Sequence, residues 1–397
     1  MTIPRQPIRD PQTAITNSMR QILVFLLLLT AGPLAALETA EHPTLPLGAP
    51  APDFRLPGVD GRTYTLRDFA DAQLLVVVFT AVHCPTAQAY EERLKRLVAD
   101  YRPRGVAFVA INPNHPESVR LDEQAYTDLD DSFASMQVRA ADRHFNFPFL
   151  DDGPTEAVAR AYGPVATPHV FIFDENRRLR FEGRIDDSER EALATHHDTR
   201  DALEALLAGR VPAVTHTMVF GCSVKWAEKT EGNRRWREKV AQEPVGLVPA
   251  DAAALRELRE NRTSGKIRVI NVWATWCGPC TAEFDQLVEL NLIYRNRDFE
   301  LVTVAAQFPD ELPKVRRFLE EHHASMRNVI FGETDKYKLM AALDPEWNGA
   351  LPHTLVVAPG GQVLYRQTDE LDFLKLRRVL VPALNGLTPW PGLSPVK

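Results

Sequence analysis

The segment that decides the fold is Trp273-Ala274-Thr275-Trp276-Cys277-Gly278-Pro279-Cys280, which continues the apolar run Ile267 to Trp273. The run predicts a buried strand, and proline is favoured in the first turn of a helix. The two cysteines therefore stand where a strand gives way to a helix, spaced to close a small disulfide ring. A helix N-terminus supplies unpaired amides and positive dipole charge, which favour thiolate over thiol. We therefore expect Cys277 to be the attacking sulfur and Cys280 the resolving sulfur.

Half of a zinc site, or an inert disulfide, is the alternative interpretation of this pair. A structural zinc ion needs four ligands, and no second cysteine pair is present. The chain has only four cysteines, Cys84, Cys222, Cys277 and Cys280. Exported scaffolds held together by disulfides are far richer in cysteine. Redox chemistry is therefore the favoured role.

The sequence on both sides of the cysteine pair predicts alternating helices and strands. Pro352 precedes one of these strands, and Pro359-Gly360-Gly361 predicts the turn that follows it. The predicted elements are a helix from Ala252 to Asn261, a strand from Ile267 to Trp273, a helix from Pro279 to Tyr294, a strand from Phe299 to Ala305, a helix from Val315 to His322, and strands from Thr354 to Val357 and from Val363 to Gln367.

This region, roughly Pro249 to Leu384, resembles the thioredoxin superfamily and in particular its TlpA/ResA-like branch. The resemblance implies a thioredoxin fold and exchange through a mixed disulfide with a protein partner. It also implies that Pro352 is the cis-proline beside the active site, on the backbone edge that holds a client strand. Trp276, Gly278 and Pro279 are the other expected client-binding residues.

One position departs from the thioredoxin pattern. Thioredoxins usually carry a buried aspartate six residues before the first cysteine, where it helps to deprotonate the resolving thiol. Here that position is Asn271, which cannot titrate. Glu283 is the nearest candidate for the proton role, and a solvated helix position is its alternative. Trp273 has two alternative roles at this point, shielding of the thiol or packing in the core.

The same order of elements occurs earlier in the chain. It predicts strands from Leu74 to Phe79, Val106 to Ile111, His169 to Phe173 and Leu179 to Ile185, and helices from Pro85 to about Tyr101 and from Asp198 to Leu207. We therefore predict an α/β protein with two tandem thioredoxin-like folds, each a central mixed β-sheet flanked by helices, after an N-terminal signal segment. The predicted boundaries are 1–37 for a signal peptide or anchor, 47–215 for the first domain, 216–248 for a connecting segment without clear periodicity, and 249–385 for the second domain.

Cys84 occupies the strand-to-helix position in the first half. Ala87 stands where a second cysteine would be, so no short disulfide ring can form there. A peroxiredoxin would carry threonine and proline where this chain has Ala81 and Val77, so peroxide reduction is not expected. The region from Leu47 to Leu207 resembles AhpC/TSA-type redoxin proteins. In that resemblance Pro168 is the cis-proline and a further client-binding residue.

Cys222 lies just beyond the first predicted domain, where redoxin proteins of this kind often carry a cysteine. We hypothesise a reversible disulfide between Cys84 and Cys222, because both are otherwise unpaired in an oxidising compartment. A buried, inert Cys222 is the alternative. Copper binding is a further possibility, since soft or borderline ligands occur at His83, Cys84, His216, Met218 and Cys222, although their spacing matches no recognised motif.

The N-terminus and the net charge restrict location and partners. Arg20, the apolar run Ile22 to Leu29 and small residues up to Ala36 have the order of a secretory signal, with an uncleaved anchor as the alternative. The protein is therefore expected outside the cytoplasm, and at the membrane only if the segment is uncleaved. A net charge of −7 argues against nucleic-acid binding. No cofactor or resident metal is expected.

These observations predict a periplasmic or otherwise extracytoplasmic thiol-disulfide oxidoreductase. The Gly-Pro pair between the cysteines resembles that of reducing thioredoxins, at about −270 mV, rather than the oxidant DsbA, at about −120 mV. We therefore expect a reductase of protein disulfides, and a DsbD/CcdA-type membrane protein is the expected electron donor. The alternatives are a relay, in which Cys84 and Cys222 exchange electrons with the second cysteine pair, and a scaffold that holds a client.

Overall fold

The computed structural model describes residues 42–386. The predicted signal segment, residues 1–37, lies outside them. Within residues 42–386, no helix combines the length and the apolar character that crossing a bilayer requires.

A five-stranded sheet forms the centre of what we call the first lobe. The elements of this lobe are strands β1 (Arg55–Pro57), β2 (Thr63–Thr65), β3 (Leu74–Phe79), β4 (Val106–Asn112), β5 (Phe149–Asp151), β6 (Ala166–Thr167), β7 (His169–Phe173) and β8 (Leu179–Gly183), and helices α1 (Pro85–Tyr101), α2 (Phe133–Asp142), α3 (Ala157–Tyr162) and α4 (Asp198–Leu207). The sheet order is β5-β4-β3-β7-β8. Strands β3, β4 and β5 are parallel, whereas β7 is antiparallel to both β3 and β8.

Strand β3 is central because all six of its residues are apolar and buried. Successive side chains of a strand point to opposite faces of a sheet, so such a strand needs cover on both sides. Leu74, Val76 and Val78 pack in one apolar cluster and Leu75, Val77 and Phe79 in another. The start of α1 is thereby anchored to a strand fixed from both faces.

The second lobe is built on a six-stranded sheet. Two elements come first, strand β9 (Cys222–Ser223) and helix α5 (Thr230–Ala241). The lobe itself contains strands β10 (Val248–Ala250), β11 (Ile267–Trp273), β12 (Phe299–Ala305), β13 (Arg327–Phe331), β14 (His353–Val357) and β15 (Val363–Thr368), and helices α6 (Ala252–Glu260), α7 (Gly278–Tyr294), α8 (Leu312–Glu321), α9 (Lys336–Leu343) and α10 (Phe373–Asn385). The sheet order is β10-β13-β12-β11-β14-β15, with β14 antiparallel to its neighbours β11 and β15. The predicted α/β architecture with two helix-flanked mixed sheets is confirmed.

The connecting segment, expected to be irregular, contains the helix α5 and the strand β9. Only Asn233 and Val240 of α5 are buried, and six of its twelve residues are charged. A helix with so narrow an apolar face gives no clear period in the sequence. Strand β9 is two residues long and pairs antiparallel with β6, so its sequence alone could not reveal it. Helices α2, α3 and α9 and strands β5 and β13 are likewise additions to the sequence-based expectation.

A loop of the first lobe docks on the second. Leu121 and Ala125 of this loop belong to the apolar cluster that contains the buried side of α7. Tyr294 Oη, at the end of α7, donates a hydrogen bond to the Thr127 carbonyl at 3.0 Å, and Arg297 donates to the Ala125 carbonyl at 2.7 Å. The two lobes therefore share a packed interface.

Candidate functional site

Cys277 caps the N-terminus of α7. Its Sγ accepts a hydrogen bond from the Cys280 amide at 3.3 Å, and Pro279 lies in the first helical turn. The two cysteines form a disulfide. Cys277 is 6% exposed and Cys280 fully buried, so the first sulfur is the one nearer to solvent. The same amide and the helix dipole would stabilise a thiolate at Cys277 once the disulfide is reduced.

The two tryptophans before Cys277 have different surroundings. Trp273 is fully buried and packs against Phe284 and Phe318, with ring centroids 4.6 and 4.8 Å away. Of the two roles considered for Trp273, shielding of the thiol and packing in the core, the structure shows packing in the core. Trp276 is 64% exposed beside the cysteine turn. Of the two, only Trp276 presents a large apolar surface to an incoming protein.

Pro352 lies at the end of the sheet where β11 leads into the turn that carries Cys277. The Leu351–Pro352 bond is cis, as the resemblance implied. Val272 pairs with His353 in the β11–β14 ladder, so Pro352 is level with the end of β11 that leads to Cys277. The residue pattern therefore brings the proline and the disulfide to one end of the sheet.

Glu283 is buried beneath the cysteine pair rather than solvated. It follows Cys280 by three residues, and helix residues at this spacing share a face. Its carboxylate accepts hydrogen bonds from the Leu371 amide at 2.9 Å and from Asn271 Nδ2 at 3.4 Å. Burial raises the pKa of Glu283 and outweighs these two hydrogen bonds, which lower it. A carboxylate with a raised pKa is a stronger base than an ordinary one, which suits it to taking up a proton from a neighbouring thiol.

Asn271, which replaces the usual aspartate, is also buried. Its Nδ2 donates to Thr354 Oγ1 at 3.0 Å as well as to Glu283. The amide thus joins the central strands β11 and β14 to the carboxylate. Asn271 orients Glu283 but supplies no proton of its own.

Cys84 repeats the position of Cys277 in the first lobe. It caps α1, its Sγ accepts from the Ala87 amide at 3.3 Å, and its thiol donates to the Thr167 carbonyl at 3.3 Å. The side chain is fully buried. The Thr167–Pro168 bond is cis, and Phe79 pairs with His169 in the β3–β7 ladder. The lobe therefore reproduces the strand end, helix start and cis-proline seen around Cys277.

Cys222 provides the second sulfur in this lobe. Thr167 and Cys222 are partners in the β6–β9 ladder, and Cys222 packs against the buried cluster of Ala81, Cys84 and Ala87. Burial raises the pKa of Cys84, but hydrogen bonds from the Cys222 thiol, Thr167 and the Ala87 and Cys222 amides lower it to about 6. The pKa of Cys222 is raised, first by its hydrogen bond to Cys84 and then by burial. Cys84 is therefore the more acidic thiol of the two.

A buried ion pair next to Cys84 could not be foreseen from the sequence. Asp131 accepts hydrogen bonds from His83 Nδ1 at 2.6 Å, the Val82 amide at 2.7 Å and Asn114 Nδ2 at 2.7 Å. Burial opposes ionisation of both groups, but their mutual attraction raises the pKa of His83 and lowers that of Asp131. Asp128, Asp130 and Asp131 share one loop, and only the fold identifies Asp131 as the partner of His83.

The residues considered for copper do not converge on one point. His83 is hydrogen-bonded to Asp131 and His216 to Glu182, and the Met218 side chain is 79% exposed. Across residues 42–386, no group of three or more His, Cys, Asp or Glu side chains is arranged to hold a metal ion. Of the suggested ligands, the structure brings together Cys84 and Cys222.

Comparison with known proteins identifies the family. Residues 47–182 match the AhpC/TSA family model and residues 252–380 the Redoxin model. The thiol:disulfide interchange protein CycY of Rhizobium leguminosarum bv. viciae is 30% identical over 136 residues, covering 34% of this chain and 68% of that protein. The chain belongs to the thioredoxin superfamily. It is a thiol-disulfide oxidoreductase with two thioredoxin-like domains.

One further relative is named a thiol-disulfide oxidoreductase, and one similar solved structure is of an uncharacterised protein. The thiol-disulfide oxidoreductase ResA of Oceanobacillus iheyensis is 30% identical over 102 residues, covering 25% of this chain and 47% of that protein. A solved structure of an uncharacterised conserved protein from Geobacillus kaustophilus is 38% identical, covers 46% of this chain and 92% of its own, and has a TM-score of 0.41.

This thioredoxin-superfamily protein thus carries two dissimilar sulfur pairs on two similar frames. In the second domain both sulfurs belong to the first turn of one helix. In the first domain one sulfur belongs to α1 and the other to the paired strand β9. The first arrangement closes a ring inside one turn, whereas the second depends on where β9 lies.

The acidity of Cys84 depends on the Cys222 side chain. In the reduced protein, we predict that Cys222→Ala moves the pH midpoint of Cys84 alkylation from about 6 towards that of a free cysteine, roughly 8.5, because the thiolate loses a hydrogen-bond donor. Cys222→Ser keeps a donor and is the matched control, with a much smaller change. Equal midpoints in the Ala and Ser variants would show that the Cys222 side chain does not act on Cys84.

Proposed function

We propose that this oxidoreductase reduces protein disulfides outside the cytoplasm, through Cys277 and Cys280. The observation that carries the proposal is the position of Cys277 at the cap of α7, with the Cys280 amide on its sulfur and Cys280 buried one turn further in. The outer sulfur can meet a client while the inner one is shielded from it. This is the geometry that directed exchange requires.

The reaction starts from the reduced dithiol. The Cys277 thiolate attacks one sulfur of a client disulfide, whose S–S bond breaks as a mixed disulfide forms. Cys280 then loses its proton and attacks Cys277 Sγ, which releases the client as a second thiolate. Two electrons have passed from the dithiol to the client, and the Cys277–Cys280 ring has closed.

Glu283 is our candidate for the proton acceptor of Cys280. Its buried carboxyl lies on the same helix face as Cys280, and burial raises its pKa. A carboxylate whose pKa is raised is a stronger base than an ordinary one, so it is better suited to accept the thiol proton and return it in the next cycle. Asn271, hydrogen-bonded to the carboxyl, serves as its positioning residue.

The client surface that we propose surrounds the outer sulfur. Trp276, Gly278 and Pro279 flank Cys277, and the backbone before Pro352 offers an edge to an extended client segment. Leu351 belongs to no strand, so its backbone groups can pair with such a segment. The relatives named thiol:disulfide interchange proteins support protein thiols and disulfides as substrates.

The reducing direction and the location rest on the sequence. The Gly-Pro pair between the cysteines resembles that of reducing thioredoxins, and the N-terminal signal pattern supports export. An exported reductase needs electrons from across the membrane, for which a DsbD/CcdA-type donor is our proposal. The name of these relatives, thiol:disulfide interchange protein, is consistent with disulfide exchange.

Trapping tests the proposed function. With Cys280→Ser we expect a stable mixed disulfide between Cys277 and a disulfide-bonded client such as insulin, because no second sulfur can release it. Cys277→Ser is the matched control and should capture nothing at this site. The unmodified protein with dithiothreitol should reduce insulin faster than dithiothreitol alone, and Cys277→Ser should lose that gain. Absence of both trapping and insulin reduction would contradict the proposal.

A second candidate function is a relay between the two domains. The observation that favours it is the packing of Cys222 against the buried cluster that contains Cys84, a pair of thiols that could store two electrons as a dithiol. The interface between the lobes includes Tyr294 at the end of the 17-residue helix α7, about 25 Å from Cys277.

Replacement of Cys84 tests the relay. If electrons pass through the first domain, Cys84→Ala should lower client turnover driven by the protein's natural reductant by about tenfold or more, and the unreduced wild-type protein should contain a Cys84–Cys222 cross-linked peptide. If the first domain is a scaffold, turnover is unchanged. Free thiols at both positions under oxidising conditions would rule out the relay.

A further inference from the structure

The two cis-proline edges differ in what lies against them. In the first domain, β6 directly precedes Pro168 and pairs antiparallel with β9, so Thr167 faces Cys222 across the ladder. In the second domain, the residues just before Pro352 pair with no strand found between residues 42 and 386. The edge that we propose as a client site in one domain is therefore covered by the chain itself in the other.

The covering segment, residues 220–225, is here called the strap. It crosses the first domain so closely that Gly221 has no room for a side chain. A Cβ at this position would lie 2.1 Å from the Thr167 carbonyl oxygen, and the backbone φ of +145° is strained for other residues. The strap is thus fitted to the backbone edge beside Pro168.

The far end of the strap is held by Lys225. Its amide donates to Asn114 Oδ1 at 2.8 Å, its carbonyl accepts from the His115 amide at 2.9 Å, and its ammonium pairs with Glu123 at 2.5 Å. Val224 beside it is buried. Asn114 also binds Asp131, so this anchor joins the network next to Cys84. The strap is secured beyond its two-residue strand.

We infer that the strap is an intramolecular occupant of the client site of the first domain, with Cys222 in the place of a client cysteine. Cys84 is fully buried behind it. Protein disulfides are excluded from Cys84 as long as the strap stays in place, and the thiol partner of Cys84 is the cysteine of its own chain. The two domains therefore differ in substrate class, because one edge is open to proteins and the other is closed.

The test uses the full chain with Cys222→Ser, Cys277→Ser and Cys280→Ser, which leaves Cys84 as the one thiol. The probe is a flexible peptide whose single cysteine carries thionitrobenzoate. Attack by the Cys84 thiolate forms a Cys84–peptide disulfide and releases the coloured thionitrobenzoate anion, so the reaction is balanced and its rate is read directly. Both cysteines of the second domain are absent, so the outcome is independent of the reductase proposal.

Gly221→Ala is the variant that should release the strap. We expect it to raise the rate of peptide attachment by about tenfold or more, since a reaction that requires local opening follows the population of the open state. Gly246→Ala is the matched control, because a Cβ there meets no atom within 4 Å and Gly246 has an unrestricted φ. That control should react at the parent rate.

Lys225→Gln provides a second, milder release. It removes the ion pair with Glu123 but keeps the β6–β9 pairing, so we expect a smaller increase in the rate of peptide attachment. This variant decides the question if Gly221→Ala does not fold. The inference is overturned if the parent already couples to the peptide as fast as the released variants. It is also overturned if neither variant changes the rate.

Discussion

The structure depends on one local interaction, the hydrogen bond from a helix N-terminal amide to the sulfur of the cysteine that caps the helix. Cys280 N–H donates to Cys277, and Ala87 N–H donates to Cys84, at 3.3 Å in each case. Such a bond is useful only if the sulfur is held in place. The buried central strands β3 and β11 do this, because their apolar side chains are covered on both faces of each sheet. Packing of the sheet therefore fixes the position of the cysteine sulfur at the helix N-terminus, where the helix amide and dipole favour the thiolate.

The two domains diverge in where the second sulfur stands. In the second domain Cys280 lies in the same helical turn, so the pair can close without any other element moving. In the first domain Ala87 takes that position and the second sulfur arrives on β9. Because one sulfur lies on a helix and the other on the strap, the distance between them depends on the contacts that hold the strap in place. On our proposals, the same fold supports an exchange centre that is open to partner proteins in the second domain and an enclosed centre in the first.

Much of this could be predicted from the sequence. The apolar runs at β3 and β11, the helix that starts at Pro85 and the cysteine pair at 277 and 280 carry strong local signals, and the structure places them as expected. The family comparisons agree with both resemblances. These features are local, since they depend on hydrophobic period, helix capping and spacing within a few residues.

The remaining features depend on contacts distant in sequence. Helix α5 is too polar to give a period, and β9 exists because β6 pairs with it. The buried carboxylate of Glu283 accepts a hydrogen bond from the Leu371 amide, which lies 88 residues further along the chain. The choice of Asp131 as the partner of His83 depends on a loop fold. Tertiary structure, not residue type, decides each of these.

The most direct test of the central claim is the acidity of Cys277 in the reduced protein. The measurement is the rate of Cys277 alkylation against pH in a Cys84→Ala, Cys222→Ala variant, with the modified residue identified by mass spectrometry. The account predicts a midpoint at least about one pH unit below that of a free cysteine, roughly 8.5. A midpoint at or above that of free cysteine would contradict it, because the capped helix would then not be stabilising the thiolate.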